Sequence, residues 1–268
     1  MSSSLDRINK SVWASPRTLD LFARRDGWID KGEALVMDRV AGEARGQPIL
    51  DLGVGGGRTT PYLLSVSDDY VAVDYLAEMV SLTRSRYPGV RVERMDARAL
   101  SALADNAFGL VVFSCNGIDG VDHEGRRRII AEVLRVLRPG GLFAYSTHNL
   151  DHRVVARPRW EPDWRRLAHN PLRVIRHLIR LPEKIRAHRR ARDLAVRGDD
   201  WAVLPHPGYD FSVMVSHYVS LDEALREVRE AGFEPEVEIY AASGARLDPG
   251  DDTSGSPRFH LVARKPWP

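Results

Sequence analysis

The chain predicts an α/β fold: a doubly wound sheet of seven strands with a helical insertion after the fifth. Three observations predict it. Five short strand-like runs, at 49–52, 70–73, 90–95, 110–114 and 142–147, alternate with helix-like stretches, the pattern of a parallel sheet covered on both faces. The first run, Ile49-Leu-Asp-Leu-Gly-Val-Gly-Gly-Gly57, leaves its strand through a turn nearly free of side chains and enters Arg58-Thr-Thr-Pro-Tyr-Leu-Leu64. Two further strand-like runs, 236–240 and 259–263, follow a basic stretch that breaks the rhythm.

Residues 1–32 form an N-terminal helical cap segment. Ser15-Pro16 opens a helix with Leu19, Phe22 and Ala23 on one side, placed to pack over the glycine turn. Residues 33–149 form the core. It begins with a helix at 33–45 whose apolar stripe is Leu35, Val36, Val40 and Ala44. Helices at 59–65, 76–87 and 124–137, and a short one near Leu100, separate the five strands. Arg138-Pro-Gly-Gly141 stops the last of them. Residues 150–215 read as a basic helical insertion, or lid: between 153 and 197 there are 14 Lys/Arg against four Asp/Glu. Asn170-Pro171 starts a helix, Pro182 interrupts it, a second helix runs at 183–196, and His206 to Tyr209 is a loop. Residues 216–268 return to the core sheet, with Ser220-Leu-Asp-Glu223 as a capping box and Gly232 as the stop of its helix.

Composition narrows the function. A chain of 268 residues at 43% hydrophobic can bury a substantial core, and a net charge of +2 does not mark a nucleic-acid binder. The single Cys115 excludes an internal disulfide and suits a reducing compartment. No apolar run is long enough to span a bilayer, and the N-terminus lacks a signal-peptide core. The expectation is a cytoplasmic protein. One cysteine and scattered histidines form no metal-ligand pattern, so metal-free chemistry is expected.

The glycine turn lets a ligand reach the backbone, and the helix after it offers unpaired N–H groups. A dinucleotide fingerprint needs a small residue where Arg58 stands, which disfavours an NAD-linked oxidoreductase. Asp51-x-Gly53-x-Gly55-x-Gly57 instead resembles motif I of the class I S-adenosylmethionine-dependent methyltransferases. The segment Asp74-Tyr-Leu-Ala-Glu-Met79, the strand end Asp96-Ala97 and Leu134-Arg-Val-Leu-Arg-Pro-Gly-Gly141 resemble further segments of that family. The resemblance implies a Rossmann-like sheet whose last strand is antiparallel, and S-adenosylmethionine as cofactor. It implies that Asp74 accepts the ribose hydroxyls, that Asp96 accepts the adenine amino group beside Ala97, that Met79 lines the adenine pocket, and that Tyr75 is among the cofactor-binding residues. Asp51 is read either as orienting the cofactor ammonium or as capping the glycine turn.

Methyl transfer needs alignment, exclusion of water and, for a hydroxyl or ammonium acceptor, removal of a proton. Ser114 and Asn116, after strand four, are expected at the cofactor. Asp119 is read as a base or cation partner, or equally as part of a capped turn. His148, ending strand five, has the pKa range of a general base; its alternative is a histidine tied to loop backbone. Asn149, His206, Tyr209, His217 and Tyr218 are candidate substrate-side residues. Cys115 reads as a packing residue.

The acceptor is expected to be a small molecule, methylated on oxygen or nitrogen. Arginines 173, 176, 180, 186, 189, 190 and 192 keep an RNA or other anionic partner open as an alternative, although few aromatics interleave them. A non-catalytic cofactor-binding protein is the third reading. The apolar stripe of the insertion packs on the core or on a second subunit of a homodimer.

Overall fold

The computed structural model describes residues 4–24, 29–155, 171–207 and 212–268. Two helices, α1 (Ser4–Trp13) and α2 (Pro16–Arg24), precede α3 (Lys31–Ala44). The alternation follows: β1 (Ile49–Leu52), α4 (Thr60–Val66), β2 (Tyr70–Asp74), α5 (Ala77–Arg86), β3 (Arg91–Arg94) and β4 (Phe108–Phe113). A 3₁₀ turn (Gly117–Gly120) leads to α6 (His123–Val136) and β5 (Leu137–His148). Then come α7 (Pro171–Arg192), β6 (Val196–Arg197), β7 (Trp201–Pro207) and β8 (Val213–Val219). The chain closes with α8 (Leu221–Ala231), β9 (Glu238–Ala241) and β10 (Arg258–Arg264).

The main sheet has seven strands in the order β3-β2-β1-β4-β5-β10-β9. The last strand, β10, runs antiparallel to both β5 and β9, and the other pairs are parallel. This is the expected architecture. Successive side chains of a strand point to opposite faces, and here both faces are apolar because helices cover both. Leu50, Leu52, Val71, Val73, Val111, Phe113 and Phe143 meet Ile129, Ile130 and Val133 of α6 and Val228 of α8. Ile49, Tyr70, Ala72, Leu110 and Val112 meet Val36 and Val40 of α3, Leu63 of α4 and Val80 of α5. Each such buried aliphatic side chain contributes roughly 1.5–3 kcal/mol. The strand order turns back on itself between β1 and β4, and the crevice beyond the carboxyl ends there is where open α/β sheets bind ligands.

Several expected elements differ. The capping box at Ser220 closes on one side only. Its hydroxyl accepts from the Glu223 N–H at 3.1 Å, but the Ser220 N–H donates to the Asp200 carbonyl, and Glu223 binds Arg226 instead. The short helix expected near Leu100 is a pair of turns. Pro182 lies inside α7, which runs unbroken for 22 residues where two helices were expected.

The insertion also contains strands: β6, β7 and β8 form a second, antiparallel sheet. The prolines at 205 and 207 concealed β7. They are tolerated because β6 pairs only with Ala202 and Val203, so the rest of β7 leaves an edge where a missing N–H costs no ladder bond. His206 is therefore in a strand, and Ser216 to Tyr218 belong to this second sheet instead of the core sheet. Among the described residues no helix is long and apolar enough to cross a membrane.

Candidate functional site

The carboxyl ends of β1, β2, β4 and β5 open onto one cavity of about 290 Å³. The glycine turn is its floor. Gly53 and Gly55 have φ of 62° and 57°, the left-handed region that side chains avoid. A Cβ on Gly53 would stand 2.6 Å from the Phe113 ring. Phe22 of α2 covers the turn: a Cβ on Gly56 would meet its carbonyl at 2.6 Å, and Arg86 donates to the carbonyls of both Phe22 and Gly56. Trp13 meets Phe22 edge-on at 5.6 Å, and both rings line the cavity. The N-terminal segment thus packs over the turn. Arg58 does not line the cavity; it donates to Glu33 at 2.9 Å and to the Ser114 hydroxyl at 3.2 Å.

Three carboxylates stand at strand ends. Asp74 lines the cavity; Oδ2 accepts from the Gly55 N–H at 3.0 Å and Oδ1 from the Leu76 N–H at 2.9 Å. Burial pushes its pKa up to about 6 against the opposing pull of those backbone donors. Asp51 is fully buried beneath the turn. Its Oδ2 accepts from Tyr70 and Thr59 at 2.8 and 3.0 Å, while Oδ1 has no partner. Burial raises its pKa to about 6 as well. Asp96 lines the cavity beside Ala97. Burial acts to raise its pKa, but the Arg98 guanidinium, bonded to both its oxygens at 3.0 and 2.7 Å, holds it below the ordinary range. Arg98 also reaches Asp6 of α1 at 3.1 Å. Tyr75 and Met79 complete this side, with the Lys10 ammonium 5.2 Å from the Tyr75 ring centre.

The opposite side is built by the turn after β4 and the end of β5. Cys115 and Asn116 are consecutive non-glycine residues at φ of 54° and 57°. Each such residue costs on the order of 1–3 kcal/mol and persists only where surrounding bonds enforce it. Here the Asn116 N–H donates to the Ser146 hydroxyl at 2.8 Å. The Asn116 amide nitrogen lies 3.1 Å from His148 Nε2, and its Oδ1 is buried without a partner. His148 Nδ1 lies 2.6 Å from Asp119 Oδ2, which also accepts the His148 backbone N–H at 2.7 Å. Asp119 Oδ1 accepts from Thr147 at 2.7 Å and from the fully buried Arg126 at 2.5 Å. Burial acts to raise the Asp119 pKa, yet His148 and Arg126 hold it below the ordinary carboxylate range.

Asp119 is fully buried behind His148 and does not reach the cavity, which corrects its reading as a base; it is instead the ion-pair partner of Arg126 and lies against His148. His206 lines the cavity, its ring 4.6 Å from His148, and its Nδ1 is 2.5 Å from the Tyr218 hydroxyl. Tyr218 stands behind it, 5.0 Å from the His148 ring. His217 and Asn149, expected on the substrate side, are elsewhere. Strand alternation turns His217 to the far face of β8, where it stacks with His123 and Trp201. Burial there drives its pKa to about 2, so it stays neutral. Asn149 is a clamp: its amide donates to the carbonyls of Thr253 and Ser256 at 2.8 and 2.9 Å. Tyr209 lies outside the described residues. Sequence reasoning passed over Arg98, Met214, Ser216 and Arg258, which also line the cavity. Alternation along β8 would have found Met214 and Ser216 together, had β8 been recognised.

Residues 49–141 match the family model described as a methyltransferase domain. A curated relative from Mycolicibacterium smegmatis, named "Probable S-adenosylmethionine-dependent methyltransferase", is 30% identical over 134 residues, 50% of either chain. A demethylmenaquinone methyltransferase from Renibacterium salmoninarum is 36% identical over 115 residues, 43% of this chain and 46% of its own. The chain thus spans about half the length of the curated relatives it matches. The solved structure of the CcbJ methyltransferase from Streptomyces caelestis has the same fold. It superposes with a TM-score of 0.59 at 15% identity, covering 96% of this chain and 99% of that one. Residues 49–141 therefore carry a methyltransferase domain, set in a sheet of the class I methyltransferase fold.

Proposed function

We propose that the chain is an S-adenosylmethionine-dependent methyltransferase that methylates oxygen or nitrogen of a small molecule, with the cavity holding donor and acceptor together. One observation carries this reading: a single cavity joins the buried carboxylate of Asp74, at the glycine turn, to the Asp119-oriented imidazole of His148. The residues fit the donor. Asp74 retains lone pairs for ribose hydroxyls, and Met79 and Tyr75 offer apolar surface to an adenine. The unpartnered oxygen of Asn116, which lines the cavity, suits a ligand rich in donors, whereas Asp51 lies beneath the turn and does not reach the cavity. The name of the Mycolicibacterium smegmatis relative supports the same donor.

When bound, the donor supplies an electrophilic methyl group: the acceptor's lone pair bonds to carbon as the carbon–sulfur pair passes to a neutral thioether. The chain's own task is to align the acceptor and take its proton. Asp119 accepts the Nδ1–H of His148, which leaves the lone pair on Nε2. That nitrogen now receives the Asn116 amide, and an acceptor O–H or N–H would take that place. The test is calorimetry with S-adenosylhomocysteine. Wild type binds, and Asp74→Ala loses about two orders of magnitude, since charged hydrogen bonds contribute roughly 1.5–3 kcal/mol each. Absence of binding by wild type rejects the reading.

A further inference from the structure

Helix α7 has no evident part in the chemistry, and its composition is unusual: eight Lys/Arg against one acid, Glu183. At 1.5 Å per residue its 22 residues make a rod of about 33 Å. One side is anchored. Ala191 is fully buried and Ala187 partly so, packed with Leu5 of α1 and with Val203, Val213 and Val215 of the second sheet. The other side is exposed and divided along its length. Its first half presents Ile175, Leu178 and Ile179, which are 53%, 56% and 73% exposed, and Ile185 follows at 37%. Its second half presents exposed Arg186, Arg189 and Arg190. At 100° per residue these aliphatic and cationic groups fall on the same side, opposite Ala187 and Ala191.

We infer that this side of α7 docks the protein on an anionic phospholipid surface, the aliphatic half entering the headgroup boundary and the arginine half pairing with lipid phosphates. Charge complementarity and exposed aliphatic area on one helix side are the two requirements for such docking. Polynucleotide would satisfy the arginines but offers nothing to Ile175, Leu178 and Ile179, and α7 has no Phe, Tyr or Trp for base stacking. A second copy of the chain would cover the aliphatic half. A twofold interface along this side would bring its arginines against their own kind if the helices paired parallel, and against the aliphatic half if they paired antiparallel. Docking here also has a consequence for the cavity. Val213 and Val215 of β8 face α7, while Met214 and Ser216 of the same strand line the cavity. The acceptor side is then one strand away from the lipid surface.

The experiment measures sedimentation of the full chain with vesicles of phosphatidylcholine, with and without phosphatidylglycerol, in the absence of any methyl donor. It is therefore independent of the proposed activity. The protein is expected to bind the anionic vesicles and to release as salt rises. Arg189→Gln with Arg190→Gln should weaken binding about 25-fold, roughly fivefold for each charge. Leu178→Ser with Ile179→Ser should weaken it by at least about tenfold. Both pairs are exposed, so the unfolding midpoint should not move. Equal binding to neutral vesicles overturns the inference, as does binding unaffected by the serine pair. Absence of binding to the anionic vesicles also overturns it, and RNA binding lost in the arginine variant, or a dimer lost in the serine variant, would then identify the occupant.

Discussion

The buried carboxylates around the cavity are not equivalent at neutral pH. Burial lifts Asp51 and Asp74 to about 6, whereas His148 and Arg126 keep Asp119 low. A carboxyl raised from 3.8 to about 6 binds its proton more tightly in the folded protein than in the unfolded chain. Its contribution to stability is complete below 3.8 and is lost as pH rises through about 6. Asp51→Asn should therefore remove a decline on the order of 3 kcal/mol between pH 4 and 7, seen as a flatter unfolding midpoint against pH. For Asp74 the same shift predicts weaker donor binding below pH 6, because a protonated carboxyl accepts ribose hydroxyls poorly. Calorimetry in buffers of different ionisation heat should find protons released on binding at pH 6 and few at pH 8.

His148 and Asp119 have separable roles. His148→Ala should lower kcat by about 10² or more with donor affinity kept. Asp119→Asn should reduce kcat less and change its pH profile, since the imidazole loses the partner that fixes its tautomer. A parallel loss of donor binding in either variant would instead indicate collapse of the site. Arg126→Met should cost about 3–5 kcal/mol, because it leaves Glu227 buried without its guanidinium partner and Asp119 with only His148 and Thr147.

Among the elements, α1 and α2 form the roof of the cavity. Asn9 fastens α1. Its amide nitrogen donates to the carbonyls of Gly120 and Val215 at 2.9 and 2.8 Å, and its oxygen accepts the Val215 N–H at 2.9 Å. Asn9→Ala leaves these buried groups unpaired, which should destabilise by about 3 kcal/mol and expose the N-terminal helices to protease before the core. Limited proteolysis followed by mass analysis checks this. The roof was legible only in part. Leu19, Phe22 and Ala23 announce apolar cover, but Asn9 looks like any polar residue in an amphipathic helix, because its partners lie 111 and 206 residues away.

The strand ends show the same division. Asp74 and Asp96 were readable because local apolar runs place them. The pairing of Asp119 with His148 spans 29 positions and depends on the register of β5 against its neighbours. Only residue type points His217 and Asn149 to the cavity, and neither lines it. In β8 the neighbour Ser216 faces inward and His217 outward, a distinction of one residue that needs the strand to be known. Pro182 predicts a helix break, yet α7 continues through it.

At the scale of the whole molecule, the sheet order brings four strand ends to one crevice, and the second sheet walls it. That wall, the roof of α1 and α2 and the turn after β4 share fastenings: Asn9 joins α1 to both the turn and β8, and Arg98 joins α1 to the end of β3. If the proposed activity holds and donor exchange passes beneath this roof, it releases several hydrogen bonds together. Such concerted release is slow compared with displacement at an aligned methyl group. Turnover should accordingly begin with a rapid first product equivalent per enzyme, followed by a slower steady rate set by the opening of the N-terminal helices. Loosening them through Asn9→Ala should shrink the burst and, until stability fails, raise the rate that follows it.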